Sequence, residues 1–88
     1  MKTSTTTRFK KSVEKCINRG YDIKRLQVLI DLLAENKKLD LRYKAHRLSG
    51  KWSGYWECHI EQDWLLVYTI NEEILLLVDT GTHSDLFK

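Results

Sequence analysis

The chain has 88 residues and a mass of 10.5 kDa, enough for one small domain, 1–88, around a single hydrophobic core. Its 42% hydrophobic and 31% charged residues, with no Pro and four Gly, exclude long linkers and low-complexity segments. Residues 1–51 hold fourteen Lys and Arg against five acids, whereas residues 52–88 hold one Lys against seven acids. The basic half favours a polyanionic partner such as RNA or an acidic protein.

The apolar runs are short. The longest, 64–68 and 74–78, are far below the roughly 20 residues that a membrane helix needs, and no apolar stretch follows the N-terminus as in a secretion signal. We therefore expect a cytoplasmic protein without membrane contact. Cys16 and Cys58 lack CxxC spacing, so in a reducing compartment they are expected to stay unpaired.

The first half of the chain predicts a short strand and a helix hairpin. Residues 5–8 are mostly β-branched and predict the strand. From Phe9, apolar residues recur at i, i+4, i+7 and i+8, which is helical spacing, and Gly20 is suited to end that helix. A second amphipathic helix begins near Asp22, an acceptable N-cap, and fades at Asn36.

The second half predicts a loop and an antiparallel meander. Residues 37–51 have no sustained period, are rich in basic residues and end in a Ser-Gly turn signal. Three strands are predicted at 54–60, 63–70 and 73–79, joined by two-residue turns at 61–62 and 71–72. The predicted fold class is therefore α+β, with the helix hairpin packed on one face of a small antiparallel sheet.

Alternation along these strands sorts the side chains into two faces. The nearly all-apolar face, predicted to receive the helices, carries Trp56, Cys58, Ile60, Leu65, Val67, Ile74, Leu76 and Val78. The other face carries Tyr55, Glu57, His59, Trp64, Leu66, Tyr68, Leu75, Leu77 and Asp79. With the predicted turns, His59 aligns with Trp64 and Trp64 aligns with Asp79, which gathers these three side chains at one end of the second face.

The three histidines, His46, His59 and His83, all lie in the second half of the chain. Imidazole titrates nearest neutral pH, so two histidines and a cation suffice to cut RNA without a metal, by attack of a ribose 2′-hydroxyl on the adjacent phosphate. Aromatic residues that could stack unpaired bases are Trp52, Tyr55, Trp64 and Phe87. From the pattern alone, an ordinary packing role for each of these residues stays open.

Four motifs carry a resemblance to a known family. They are His46-Arg47-Leu48-Ser49-Gly50-Lys51-Trp52, Glu57-Cys58-His59-Ile60-Glu61, Asp63-Trp64-Leu65-Leu66-Val67-Tyr68 and Thr80-Gly81-Thr82-His83-Ser84-Asp85-Leu86-Phe87. In these motifs the chain resembles the YafQ branch of the RelE-type bacterial toxins. The resemblance implies two helices against an antiparallel sheet, ribosome-dependent mRNA endonuclease activity, and neutralisation by a small antitoxin.

The family's site maps onto six residues of this sequence: His46, His59, Asp63, Trp64, His83 and Phe87. The resemblance implies that His59 and His83 transfer protons, while His46 assists or contacts phosphate. Asp63 would orient His59 or an RNA hydroxyl, and Trp64 and Phe87 would shape the base pocket.

Two positions depart from the family's pattern, because Asp79 and Trp56 stand where the YafQ branch commonly has Arg. An Asp beside the scissile phosphate would repel it, so the cation would come from Lys44, Arg47 or Lys51 in the loop. The alternative is a catalytically weakened member that acts mainly as a ribosome- or antitoxin-binding protein and operon co-repressor.

The resemblance also predicts the partners. They are a small acidic antitoxin of the DinJ or RelB kind with a ribbon-helix-helix start, the ribosome with its mRNA, and operator DNA only through the antitoxin. No cofactor is expected. A metal site of three His and an Asp is chemically reasonable, but HxH and HExxH spacings do not occur, so none is predicted.

Overall fold

The computed structural model describes residues 1–87. Its elements are β1 (Lys2–Thr5), α1 (Thr7–Asn18), α2 (Ile23–Ala34), β2 (His46–Arg47), β3 (Trp56–Glu61), β4 (Trp64–Asn71), β5 (Ile74–Gly81) and α3 (His83–Leu86). The strands form one sheet in the order β1-β5-β4-β3-β2, antiparallel except that β1 runs parallel to β5. The predicted α+β class and helix hairpin are confirmed, and no helix within residues 1–87 is long and apolar enough to cross a membrane.

The N-terminal strand lies earlier than predicted. β1 ends at Thr5, and Thr6 caps α1 by accepting a hydrogen bond from the Phe9 N–H at 2.9 Å. The Thr6 hydroxyl also donates to the Val78 carbonyl at 2.7 Å, which ties the start of α1 to β5. The predicted strand at 5–8 is thus wrong beyond Thr5, because a capping threonine outweighs the β propensity of the run.

The basic segment 37–51 is more regular than its sequence indicates. It contains a 3-10 turn at Leu41–Tyr43, the short edge strand β2, and the start of a second 3-10 turn at Gly50–Trp52. Asp40 begins the first turn by accepting a hydrogen bond from the Arg42 N–H at 2.9 Å. The segment therefore has a defined conformation beside β3.

Both predicted hairpin turns lie one residue too early. Glu61 pairs with Trp64 and Asn71 with Ile74, so the two-residue turns are 62–63 and 72–73. A bulge follows in each strand pair, between His59 and Glu61 and opposite Val67 and Tyr68. His59 consequently pairs with Leu65, and Asp79 pairs with Val67; the predicted alignments with Trp64 are wrong.

This shift exchanges the predicted faces of β4 and β5. Trp56, Cys58 and Ile60 face the helices as predicted, but the strand residues beside them in that core are Trp64, Leu66, Tyr68, Leu75 and Leu77. Leu65 and Val67 lie on the opposite face, where Leu86 of α3 covers them. Cys16 and Cys58 are buried free thiols, and burial raises the pKa of Cys58 to about 12, so it remains protonated.

Candidate functional site

The open face of β2 and β3 carries two histidine side chains on either side of one buried carboxylate. His46 pairs across the strands with Glu57, and His59 follows Glu57 by two residues, so all three point to the same side. Glu57 is only 4% exposed. Its Oε1 lies 3.4 Å from His59 Nε2 and 3.7 Å from His46 Nε2, so the carboxylate is buried between two imidazoles.

His83 reaches the same cluster from the far end of the sheet. It is the first residue of α3, which Thr82 and Asp85 begin with a reciprocal capping box. Gly81 permits this turn, because a Cβ there would lie 2.8 Å from Asp85 Oδ2. The rings of His59 and His83 are 5.9 Å apart, and one donor atom from each of Glu57, His59 and His83 lies within 4.8 Å of the others.

Hydrogen bonds orient the two strand histidines. His46 Nδ1 donates to the Lys44 carbonyl at 2.8 Å, and His59 Nδ1 donates to the Gln62 carbonyl at 3.3 Å. Each ring therefore turns Nε2 toward Glu57. A carboxylate only accepts hydrogen bonds, so Nε2 of each ring faces an acceptor.

His83 is held differently. Its Nδ1 donates to Asp63 Oδ1 at 2.8 Å, and its backbone N–H donates to the same oxygen at 3.0 Å. These two hydrogen bonds lower the pKa of Asp63, the backbone bond contributing most. Asp63 thus orients His83, whereas the prediction that it orients His59 is wrong. The His83 ring keeps Nε2 available for a substrate.

An aromatic cluster of Trp52, Tyr55 and Phe87 extends from His83. Trp52 contacts Tyr55 and Phe87 edge to face, with ring centroids 5.5 and 5.7 Å apart, and the Phe87 ring lies 6.4 Å from the His83 ring. All three side chains are partly exposed. Their predicted role in stacking unpaired bases stays a prediction.

Trp64 is not part of that surface. It is 2% exposed, lies on the helix side of the sheet with its ring 4.9 Å from Tyr21, and donates from Nε1 to Thr80 Oγ1 at 3.0 Å. The prediction that Trp64 contacts a base is therefore incompatible with its burial. Its contacts make it a core residue that fixes β5 just before the Gly81 turn.

Asp79 is also on the helix side, away from the histidines. It is 2% exposed, accepts hydrogen bonds from the Ser12 hydroxyl and the Thr80 N–H, and forms a salt bridge with Arg8 at 2.8 Å. The prediction that Asp79 lies beside a bound phosphate is wrong. Its charge is neutralised within the fold, so it gives no reason to expect a weakened site.

The three basic loop residues that were predicted to contact the substrate lie on different surfaces of the molecule. Lys44 lines a cleft beside His59. Arg47 pairs with Trp56 and its guanidinium lies 5.3 Å from that ring, which puts it on the opposite side of the sheet from the histidines and corrects its predicted contact with substrate. Lys51 is exposed in the 3-10 turn that carries Trp52. Lys44 is thus the loop cation nearest the histidine cluster.

Glu57 is the site residue that the sequence reasoning did not select. Its signal was its position two residues before His59, because a carboxylate and an imidazole separated by two residues share one face of a strand. Glu57, His59 and His83 also offer donors within reach of one metal ion, so these residues, although spaced far apart in sequence, could hold a transition metal.

This arrangement defines a small α+β protein with a histidine and carboxylate site at the sheet edge. A family model described as bacterial toxin of type II toxin-antitoxin system, YafQ, matches residues 1–88. The chain belongs to this YafQ family.

Similar proteins agree with this assignment over nearly the whole chain. An mRNA interferase toxin YafQ from Escherichia coli K12 is 39% identical over 80 residues, 90% of this chain and 87% of the relative. The toxin in the E. coli DinJ-YafQ complex has a TM-score of 0.91 at 36% identity, covering 98% of this chain and 97% of that one. A metal-bound toxin from Helicobacter pylori has a TM-score of 0.92 at 37% identity, covering 99% of each chain.

Proposed function

We propose that this chain acts in the cytoplasm, as a single toxin domain, by cutting mRNA on the ribosome without a metal. The observation that carries the proposal is the spacing of His59 and His83, whose rings lie 5.9 Å apart at an exposed edge. Two imidazoles at that distance can serve the attacking and leaving oxygens of one phosphodiester. The similarity to an E. coli mRNA interferase supports mRNA as the substrate of this chemistry.

His83 is the proposed base and His59 the proposed acid. His83 Nε2 takes the proton of the ribose 2′-hydroxyl, and the 2′-oxygen attacks the adjacent phosphorus. As the bond from phosphorus to the 5′-oxygen breaks, His59 Nε2 gives its proton to that oxygen, leaving a 2′,3′-cyclic phosphate and a 5′-hydroxyl. Asp63 holds the His83 ring, and the Glu57 carboxylate lies 3.4 Å from the His59 nitrogen that gives the proton.

The remaining site residues position the RNA in this proposal. His46, which shares Glu57 with His59, contacts a phosphate oxygen when it is protonated, and Lys44 adds positive charge from the neighbouring loop. Trp52, Tyr55 and Phe87 hold an unstacked base beside His83.

The proposed protein partner is an acidic antitoxin, which would bring the toxin to operator DNA. The DinJ-YafQ complex is the precedent. A groove of about 470 Å³ between α2, the basic segment and β3 and β4 suits an amphipathic acidic segment, because both apolar and lysine side chains line it. Those side chains are Leu33, Lys37, Lys38, Leu39, Lys44, Trp56 and Tyr68.

The test is cleavage of a defined message in purified ribosome complexes, followed by primer extension. His83→Ala is expected to lower the cleavage rate by about 100-fold or more, the usual contribution of a general base. Ser84→Ala, an exposed neighbour in α3, is the matched control and should keep the wild-type rate. Cleavage is expected to persist with 1,10-phenanthroline, which removes transition metals, and to stop on a 2′-O-methyl message.

Three results would contradict the proposal. His83→Ala could cut as fast as Ser84→Ala, the 2′-O-methyl message could still be cut, or phenanthroline could stop cleavage. Purified toxin that binds ribosomes and leaves the message intact would select the alternative function, a ribosome- or antitoxin-binding co-repressor.

A further inference from the structure

A second cleft begins at His59 and leads away along α2 and the basic segment. Its volume is about 640 Å³, within the roughly 300–1,000 Å³ typical of ligand-sized clefts. Its polar and charged lining includes Arg25, Arg42, Tyr43, Lys44, His59 and Gln62. It shares His59 with the histidine cluster, whereas the aromatic cluster contacts His83, so the two surfaces adjoin different histidines.

The cleft carries an excess of positive charge. Arg25 is neutralised by Glu61, whose carboxylate lies 2.7 Å from its Nη1. Arg42 and Lys44 are both exposed, and within residues 1–87 neither forms a salt bridge. Two cations without acidic partners beside His59 favour an anionic ligand.

One wall of the cleft is a flat cationic platform. The Arg42 Cζ atom lies 4.9 Å from the centroid of the Tyr43 ring, and Arg42 Nη2 donates to the Tyr43 hydroxyl at 3.1 Å. Tyr43 packs in turn against the main core. The core therefore supports the ring, and the ring supports the guanidinium. A guanidinium plane held in this way is a surface on which nucleic-acid bases stack.

The same segment is linked to the catalytic histidines through its backbone. Lys44 adopts the left-handed conformation, with φ of 48°, which is rare for a residue with a side chain. In that conformation its carbonyl accepts the hydrogen bond from His46 Nδ1. Residues in such strained conformations cluster at ligand sites. Here the backbone of Lys44 connects the wall of the cleft to the histidine cluster.

We propose that this cleft is a nucleotide subsite for the message, on the His59 side of the scissile linkage. The inference rests on the proposed function and specifies where its substrate lies. One base stacks on Arg42, its phosphate meets Lys44, and the Gln62 amide contacts the base edge. The aromatic cluster holds the nucleotide on the His83 side. RNA fits better than an acidic antitoxin segment, because the more apolar groove beside Leu33 and Trp56 suits a folding peptide.

Single-turnover cleavage of ribosome-bound message, measured over a series of toxin concentrations, tests the subsite. Arg42→Gln is expected to raise the half-maximal toxin concentration by about 10-fold while the plateau rate stays the same, because the variant loses a charged contact to bound RNA and no proton-transfer group. Lys2→Gln removes the same charge from the far edge of the sheet and should match the wild type. Lys44→Gln should make the slope of the logarithm of the binding constant against the logarithm of the salt concentration shallower by about 0.7. This is the change expected for one lost phosphate contact to single-stranded RNA.

The outcomes separate this inference from the proposed function. If the wild type cuts and Arg42→Gln behaves like Lys2→Gln, the subsite is overturned and the proposed function stands. If the wild type does not cut, binding of a fluorescein-labelled single-stranded RNA decides: weaker binding by Arg42→Gln than by Lys2→Gln supports the subsite, and equal binding overturns it. If Arg42→Gln binds the antitoxin more weakly but cuts the message normally, the cleft is assigned to an acidic peptide instead.

Discussion

The two faces of the sheet each bury one carboxylate, and the two are satisfied in opposite ways. Asp79, on the helix face, accepts hydrogen bonds from Ser12 and Thr80 and pairs with Arg8. Glu57, on the open face, lies against two imidazoles at 3.4 and 3.7 Å. Removing a buried carboxylate with fixed partners leaves those partners without their acceptor, whereas Glu57 lies beside the proposed proton-transfer group.

Among the substitutions that test this comparison, Asp79→Ala is expected to have the largest effect, and the effect is on stability. Asp79→Ala leaves the Ser12 hydroxyl and the Thr80 N–H without their acceptor and Arg8 without its partner, so the free energy of unfolding should fall by about 3 kcal/mol. Urea denaturation measures this loss. Asp31→Ala, at an exposed carboxylate of α2, is the control. If Asp79→Ala unfolds at the wild-type urea concentration, the carboxylate does not stabilise the join between α1 and β5.

Glu57 should show the reverse pattern, with a large effect on rate and a small one on stability. Glu57→Gln keeps the shape but removes the charge next to His59, so cleavage at pH 7 should fall by about 10-fold while the urea midpoint changes little. Glu57 acts through His59 as a positioning residue.

A fall in the urea midpoint as large as that of Asp79→Ala would mean that the Glu57 carboxylate has a structural role. Glu14→Gln, at an exposed carboxylate of α1, serves as the control. It should leave the cleavage rate and the urea midpoint unchanged.

Asp85 is a third carboxylate with an ion-pair partner, and of the three its substitution is expected to have the smallest effect. It is ion-paired with Arg19 at 2.6 Å, like Asp79 with Arg8, but it is only partly buried. Arg19, and after it the Thr82 backbone N–H, hold the pKa of Asp85 well below its usual range. A lowered folded-state pKa contributes stability that is present above the unfolded value of about 3.9 and is lost as pH falls through the folded value.

Asp85→Asn should therefore lower the free energy of unfolding by less than about 1 kcal/mol at pH 7, since both partners are partly solvated. The difference in free energy of unfolding between the variant and the wild type should shrink as pH falls below about 4. Urea unfolding at pH 7 and pH 3 measures it, with Glu14→Gln as the exposed control. A difference that stays the same at pH 3 and pH 7 would show that the charge of Asp85 does not contribute to stability.

Much of the site was readable from the sequence because it rests on local signals. Caps at Asp22 and periodic apolar residues located the helix hairpin, and the motifs around His46, His59 and His83 identified the histidines that the fold brings together. Alternation also placed Glu57 and His59 on one face. What these signals do not specify is which residues of separate strands stand side by side.

The sequence by itself determined the helix hairpin, the three meander strands and the three histidines, since spacing, caps and turn residues act within a few positions of the chain. Only the tertiary structure decided that Asp63 holds His83 and that Trp64 and Asp79 lie on the helix side. The physical reason is the register. Two turns shifted by one residue and two bulges exchange the faces of β4 and β5, and long-range packing against α1 and α2 selects that register.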